Sequence, residues 1–138
     1  SKTSPASSAA MAAFSITSAA NEGRTLNLEF PDGTATGEHL TVLGSDSKAF
    51  RAGKSVFQRQ SLALIKEKEK ITVEEYAERE ARLTTTLLSS CVVGWSFDVP
   101  FSRKGVLEFL ETAPYLEPAL DSFLVDRSNF FVTPQKAS

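Results

Sequence analysis

Residues 47–93 limit most narrowly what this chain can fold into, because they read as two long helices joined by a short charged run. Ser45-Asp46-Ser47 offers side-chain oxygens to the unpaired amides of a helical first turn. Behind it, Phe50, Gly53, Phe57, Gln60 and Leu64 fall at steps of three and four, flanked by Val56 and Ala63. The spacing predicts a helix over residues 47–69, ending in the mixed-charge run Lys66-Glu67-Lys68-Glu69-Lys70. Gly53 weakens it by about 1 kcal/mol relative to alanine, which close packing against a neighbour would explain. Thr72-x-x-Glu75 then has the spacing of a capping box and predicts a second helix over 73–93. Val73, Tyr76, Ala77, Leu83, Leu87, Leu88 and Cys91 form its apolar side, and Gly94 is its expected C-cap.

Ahead of this pair, Thr25-Leu26-Asn27-Leu28-Glu29-Phe30 alternates, with Leu26, Leu28 and Phe30 on one face. Pro31-Asp32-Gly33 is a turn, since proline presets φ and glycine takes the positive-φ position. Leu40-Thr41-Val42-Leu43 completes a β-hairpin over 25–43, which needs a helix behind it for stability. After the pair, Pro100 stops helix continuation and Ser102 caps a third helix over 103–112. Ala113-Pro114 breaks that helix, and a fourth is expected over 115–129. Leu87, Leu107, Leu120 and Phe123 are expected to meet where helices two, three and four join. Residues 1–22 are rich in Ser, Ala and Thr without a sustained period, so they read as a flexible arm, and residues 133–138 as a frayed end. The expected fold is one α+β domain over 23–138: a small N-terminal hairpin packed on about four helices.

A chain of 138 residues with 41% hydrophobic content can bury a real core. A net charge of −2, with acids and bases interspersed, gives no basic field for nucleic acid or an anionic membrane. There is no signal-like h-region and no 18-residue apolar run, so neither conventional export nor membrane spanning is expected. His39, the single histidine, reads as a solvated turn or strand-start residue, and Cys91 as a buried, inert thiol. A zinc site would need more such ligands, and Gly33 and Gly37 make no phosphate loop. Asp126-Arg127 reads as a salt bridge or cap. No cofactor, metal or catalysis is expected. Trp95 divides between a core plug and a partner-binding anchor.

Four separated stretches then form an ordered series. Leu43-Gly44-Ser45-Asp46-Ser47 leads into the long helix, Cys91-Val92-Val93-Gly94-Trp95 ends the second, and Val99-Pro100-Phe101-Ser102 starts the third. Leu124-Val125-Asp126-Arg127-Ser128-Asn129-Phe130-Phe131 closes the chain. The series, covering residues 25–131, resembles the small tail assembly chaperones of long-tailed bacteriophages, and it rests on Asp46, Gly94, Trp95, Asp126, Arg127, Asn129 and Phe130. The resemblance implies a protein that binds the long, helical tape-measure protein, or another phage structural protein, in the host cytoplasm before the tail tube polymerises. A capsid, neck or tail component retained in the virion by its arm, and a small regulatory or anti-defence binding protein, are the alternatives. The expected partner surface is the first long helix, with Phe50, Val56, Phe57, Leu64 and Ile65, together with Trp95. A second copy of the chain could cover the same surface.

Overall fold

The computed structural model describes residues 5–131; the first four residues of the expected arm and the expected frayed end lie outside it. The fold is α+β as predicted. Strands β1 (Arg24–Glu29) and β2 (Ala35–Val42) pair antiparallel around the Pro31-Asp32-Gly33 turn. Gly33 takes φ +86°, and the Asp32 carboxylate accepts from the Thr34 amide at 2.9 Å. Helix α3 (Lys48–Glu67) starts on Ser47, whose buried hydroxyl oxygen accepts from the Phe50 amide at 3.1 Å. Helix α4 (Val73–Ser90) starts on Thr72, whose hydroxyl accepts from the Glu75 amide, the N-cap half of the expected capping box.

The second long helix is shorter than its apolar pattern implied. It stops at Ser90, with Cys91 as the cap residue, and Val92–Trp95 turns into a third strand, β3, on the free edge of β2. The expected hairpin is thus the first two strands of a sheet ordered β1-β2-β3. Gly94 is not a helix cap: it sits opposite Thr41 in the ladder. Arg103 supports the switch, because its guanidinium donates to the carbonyls of both Ser89 and Val92, one at the helix end and one in the strand. The threonine run 84–86 stays helical, each hydroxyl donating to the carbonyl four residues back.

Helix α5 (Arg103–Thr112) has the predicted bounds and the predicted Ser102 cap. The expected fourth helix is divided into a 3-10 turn at Pro114–Leu116, helix α6 (Glu117–Val125) and a second 3-10 turn at Arg127–Phe130. Within the stretch read as an arm, two short helices form, α1 (Pro5–Ala12) and α2 (Thr17–Glu22). Met11 and Phe14 are exposed, whereas Ala19 and Ala20 are buried against Phe130.

The core lies between the sheet and α4, α5 and α6: Leu28, Leu40, Val42, Leu43, Leu88, Cys91, Val92, Val106, Leu110, Leu116, Leu120 and Leu124. Leu120 is buried as expected, but Leu87, Leu107 and Phe123 are only half-buried. Helix α4 has neighbours on two sides, so two faces are covered. Leu87 faces α3, where an added Cβ on Gly53 would lie 3.0 Å from its Cδ1, and Leu88 faces the sheet side. The close-packing reading of Gly53 fits this: an added Cβ would also meet the Ser90 hydroxyl at 2.8 Å, so the side chains of Ser90 and Leu87 would have to shift to admit it. Cys91 is fully buried, and burial pushes its thiol up to about 11, which keeps it protonated and inert.

Candidate interaction surface

Helices α3 and α4 form a hairpin about 30 Å long at 1.5 Å per residue. Its N-terminal third packs on the core through Phe50 and Ala49, and farther out α3 packs chiefly on α4. The structure separates the residues expected to bind a partner. Phe50 and Phe57 are half-buried and Leu64 is buried, so the central stripe is largely covered by α4. Lys54 extends its ammonium over the Phe57 ring at 5.3 Å from the centroid. Val56 and Ile65 are exposed, at 37% and 55% of their surface.

At about 100° per residue the exposed residues lie on opposite flanks. Val56 and Ala63 share one flank, one helical repeat of seven apart. Ile65 shares the other with Leu62, which is 63% exposed and was not among the expected surface residues. Leu62 stands well off the Phe50–Phe57–Leu64 stripe, and a large apolar side chain in that position on an amphipathic helix is the sequence signal that would have found it.

On the Val56–Ala63 flank an open groove of about 320 Å³ runs between the helices, lined by Gln60, Ala63, Leu64, Glu67, Arg79, Arg82 and Leu83. Leu64 and Leu83 supply an apolar floor. Arg79 and Glu67 bridge the rim at 2.8 Å, both about half exposed, so the pair is screened and contributes little to stability. Arg82 stands on the rim with no ion-pair partner among the described residues.

Trp95 is built into the body of the domain. Its ring meets Phe97 and Phe101 edge-on at 5.4 and 5.1 Å, and its indole N–H donates to the Val99 carbonyl at 2.9 Å. The ring also fills the space above Gly105, where an added Cβ would lie 2.7 Å from Cη2. The core-plug reading therefore has the packing behind it. His39 lies within β2; its carbonyl accepts from the Ser96 amide, one ladder bond beyond Trp95, and its amide donates to the Ser96 hydroxyl. Among the described residues no group of three His, Cys, Asp or Glu side chains could hold a metal ion, and no helix is long and apolar enough to cross a membrane.

The remaining motif residues converge at one corner although 80 residues separate them. Arg127 grips Asp46 through Nε at 2.8 Å and Nη2 at 3.2 Å. Asp126 caps the last 3-10 turn by accepting from the Ser128 amide, and the Asn129 amide group donates to the Phe123 carbonyl at 2.9 Å. Phe130 is buried beneath them. The corner joins the start of α3 to the end of the described chain.

The Arg127 hydrogen bond holds the Asp46 carboxyl below its ordinary value of 3.8, against a smaller opposing effect of burial. A depressed folded-state value means that the pair stabilises the fold above the ordinary aspartate range, and that this is lost as pH falls through the lower folded value. The stability difference between the wild type and Arg127→Ala should thus be small, as for exposed pairs, present from about pH 5 upward, and smaller at about pH 2. Urea titrations at both pH values check it; a difference that persists undiminished in acid would mean that Arg127 acts through packing.

Fold and surface together describe a small α+β domain with a helical hairpin that carries an open groove on one flank. The family model for phage tail assembly chaperones matches residues 11–122, and the chain belongs to that family. The match runs from within the N-terminal helices through all three strands and both long helices, and ends before the Asp126–Phe130 corner. No curated protein and no solved structure matches the chain.

Proposed function

We propose that this chaperone binds the tape-measure protein in the host cytoplasm during tail assembly, without catalysis, by seating a client helix in the groove between α3 and α4. The supporting observation is the groove itself: about 320 Å³ between the two helices, with Leu64 and Leu83 at its base and the polar side chains of Gln60, Glu67, Arg79 and Arg82 around it. An amphipathic helix recognises such a surface by laying its apolar stripe on the floor and its polar flanks against the rim. Ala63 widens the floor, Val56 continues the same flank beyond the groove, and Gln60, Arg79 and Arg82 form the rim. Family membership supports the assembly role, and the helical character of a tape-measure protein fits the shape of the site.

Co-expression with the tape-measure protein of the same phage, followed by affinity purification, tests this. The wild type should recover the client. Ala63→Glu places a charge on the floor at an exposed position, so it should leave the fold intact and lower recovery at least tenfold. Leu62 and Ile65, on the opposite flank, are the surface a second copy would cover, so Ile65→Glu separates self-association from client binding and should recover client normally. Failure of the wild type removes the tape-measure assignment. Recovery by Ala63→Glu at the wild-type level removes the groove.

A further inference from the structure

At the other end of the molecule, β1 is an edge strand with one side unpaired among the described residues. The Phe30 amide donates to the Thr34 carbonyl at 2.8 Å, so the peptide groups of Phe30 face β2. Strand alternation then points those of Arg24, Leu26 and Leu28 toward β2 and those of Thr25, Asn27 and Glu29 outward. The register shift between Asn27 and Glu29 does not disturb this, because the extra residues are on β2, where Ala35 to His39 span the same interval. Natural sheets usually blunt such an edge with charged side chains, a bulge in the edge strand, a proline or a covering segment, and of these β1 carries charges only at its two ends, Arg24 and Glu29. Here the edge instead borders a groove.

The groove, about 200 Å³, runs between β1 and the start of α6, with Leu28 and Leu116 at its base and Phe30, Tyr115 and Ala119 along its sides. A second depression of about 160 Å³ continues from it beneath the hairpin toward Phe97 and Phe109. Phe30 and Tyr115 are large aromatics left about half exposed on facing lips. Among the described residues, the only charged residues bordering the two depressions are Glu29 and Glu38, and strand alternation places the Glu29 side chain on the opposite, solvent face of β1. Glu38 accepts from the Ser96 hydroxyl, and Glu29 has no ion-pair partner among the described residues.

We infer that β1 and this groove bind an extended segment of another polypeptide, added as a fourth strand, with alternating aliphatic side chains and lysine or arginine between them. Three outward peptide groups supply main-chain hydrogen bonds, the groove takes the aliphatic side chains that point to the core face, and Glu29 on the solvent face selects the basic residues. This surface is independent of the helical groove on α3 and α4, because it recognises backbone in an extended conformation.

The test uses the full ¹⁵N-labelled chain and two synthetic octapeptides, one alternating valine with lysine and the other valine with glutamate. The lysine peptide should shift the amide signals of Thr25, Asn27 and Glu29 and slow their exchange with solvent, and it should bind at least tenfold more tightly than the glutamate peptide. Asn27→Pro removes the central outward donor at an edge position that tolerates proline, and should weaken binding at least tenfold. Glu29→Lys, at an exposed side chain, should reverse the preference between the peptides. Absence of shifts at these three amides at millimolar lysine peptide, undiminished binding by Asn27→Pro, or equal binding of the two peptides would overturn the inference.

Discussion

Leu124→Ala is expected to destabilise the protein by about 2–5 kcal/mol, through lost transfer free energy and the cavity left behind. Leu124 has no exposed surface and lies in the largest cluster, among Leu120, Leu110 and the inward residues of the sheet. Its surroundings are held from several sides and cannot easily collapse into the space. The Leu124 carbonyl accepts from the Ser45 amide at 2.8 Å, which fixes α6 to the segment leading into α3. Domains of this kind are stable by only about 5–15 kcal/mol, so this one change would remove a large share of the total. Two neighbouring positions on α4 give an internal comparison. Leu88→Ala should cost more than Leu87→Ala, because Leu88 is buried in the main core and Leu87 is half-buried against α3. Urea unfolding of the three variants decides it. A loss below about half a kcal/mol at Leu124 would place it with surface substitutions and show that α6 does not close the core.

The Leu87–Leu88 comparison also shows where reading the sequence stops. Local signals placed the caps at Thr72 and Ser102 and the turn at Gly33, and narrowed the first cap to residues 45–47, of which Ser47 is the one used, because each depends on residues within four positions of one another. The helical period of α4 was visible too, but a period gives one apolar side and this helix covers two. Which leucine faces the sheet depends on neighbours far away in sequence. Strand β3 was hidden for the same reason. Val92-Val93-Gly94-Trp95 continues the apolar pattern of the helix, and only the free edge of β2, about 50 residues earlier, together with Arg103 holding both Ser89 and Val92, turns it into a strand. At the candidate site, the Phe50–Phe57–Leu64 stripe was legible as apolar. Its coverage by α4, which leaves the flanks more exposed than the stripe, was not. Of the motif residues, Asp46 and Arg127 could be read as charged but not as partners, since nothing local links positions 81 residues apart.

Phe130→Ala is the other substitution with a large expected effect, about 3–5 kcal/mol, the range for truncating a buried phenylalanine. Phe130 is 2% exposed although it stands one residue from the end of the described chain. Its ring meets Phe123 edge-on at 5.7 Å and lies so close to Gly44 that an added Cβ there would sit 3.0 Å away. On its other side it covers Ala19 and Ala20 of α2, whose small side chains allow that helix to come near. The same helix is tied to the body by the Gly44 amide donating to the Ala20 carbonyl at 3.0 Å and by the Lys48 amide donating to Asn21 Oδ1 at 2.9 Å. The stretch that read as a loose arm therefore divides functionally near residue 16. Removing residues 1–12 should change stability by less than about 1 kcal/mol, as surface changes do. Removing residues 1–22 should approach the cost of Phe130→Ala, because it uncovers the same ring, and combining it with Phe130→Ala should cost less than the sum, as expected for residues in contact. Thermal and urea unfolding of these four chains measures the coupling. Full additivity would mean that α2 and Phe130 stabilise the domain separately, and that the end of the chain does not hold its beginning in place.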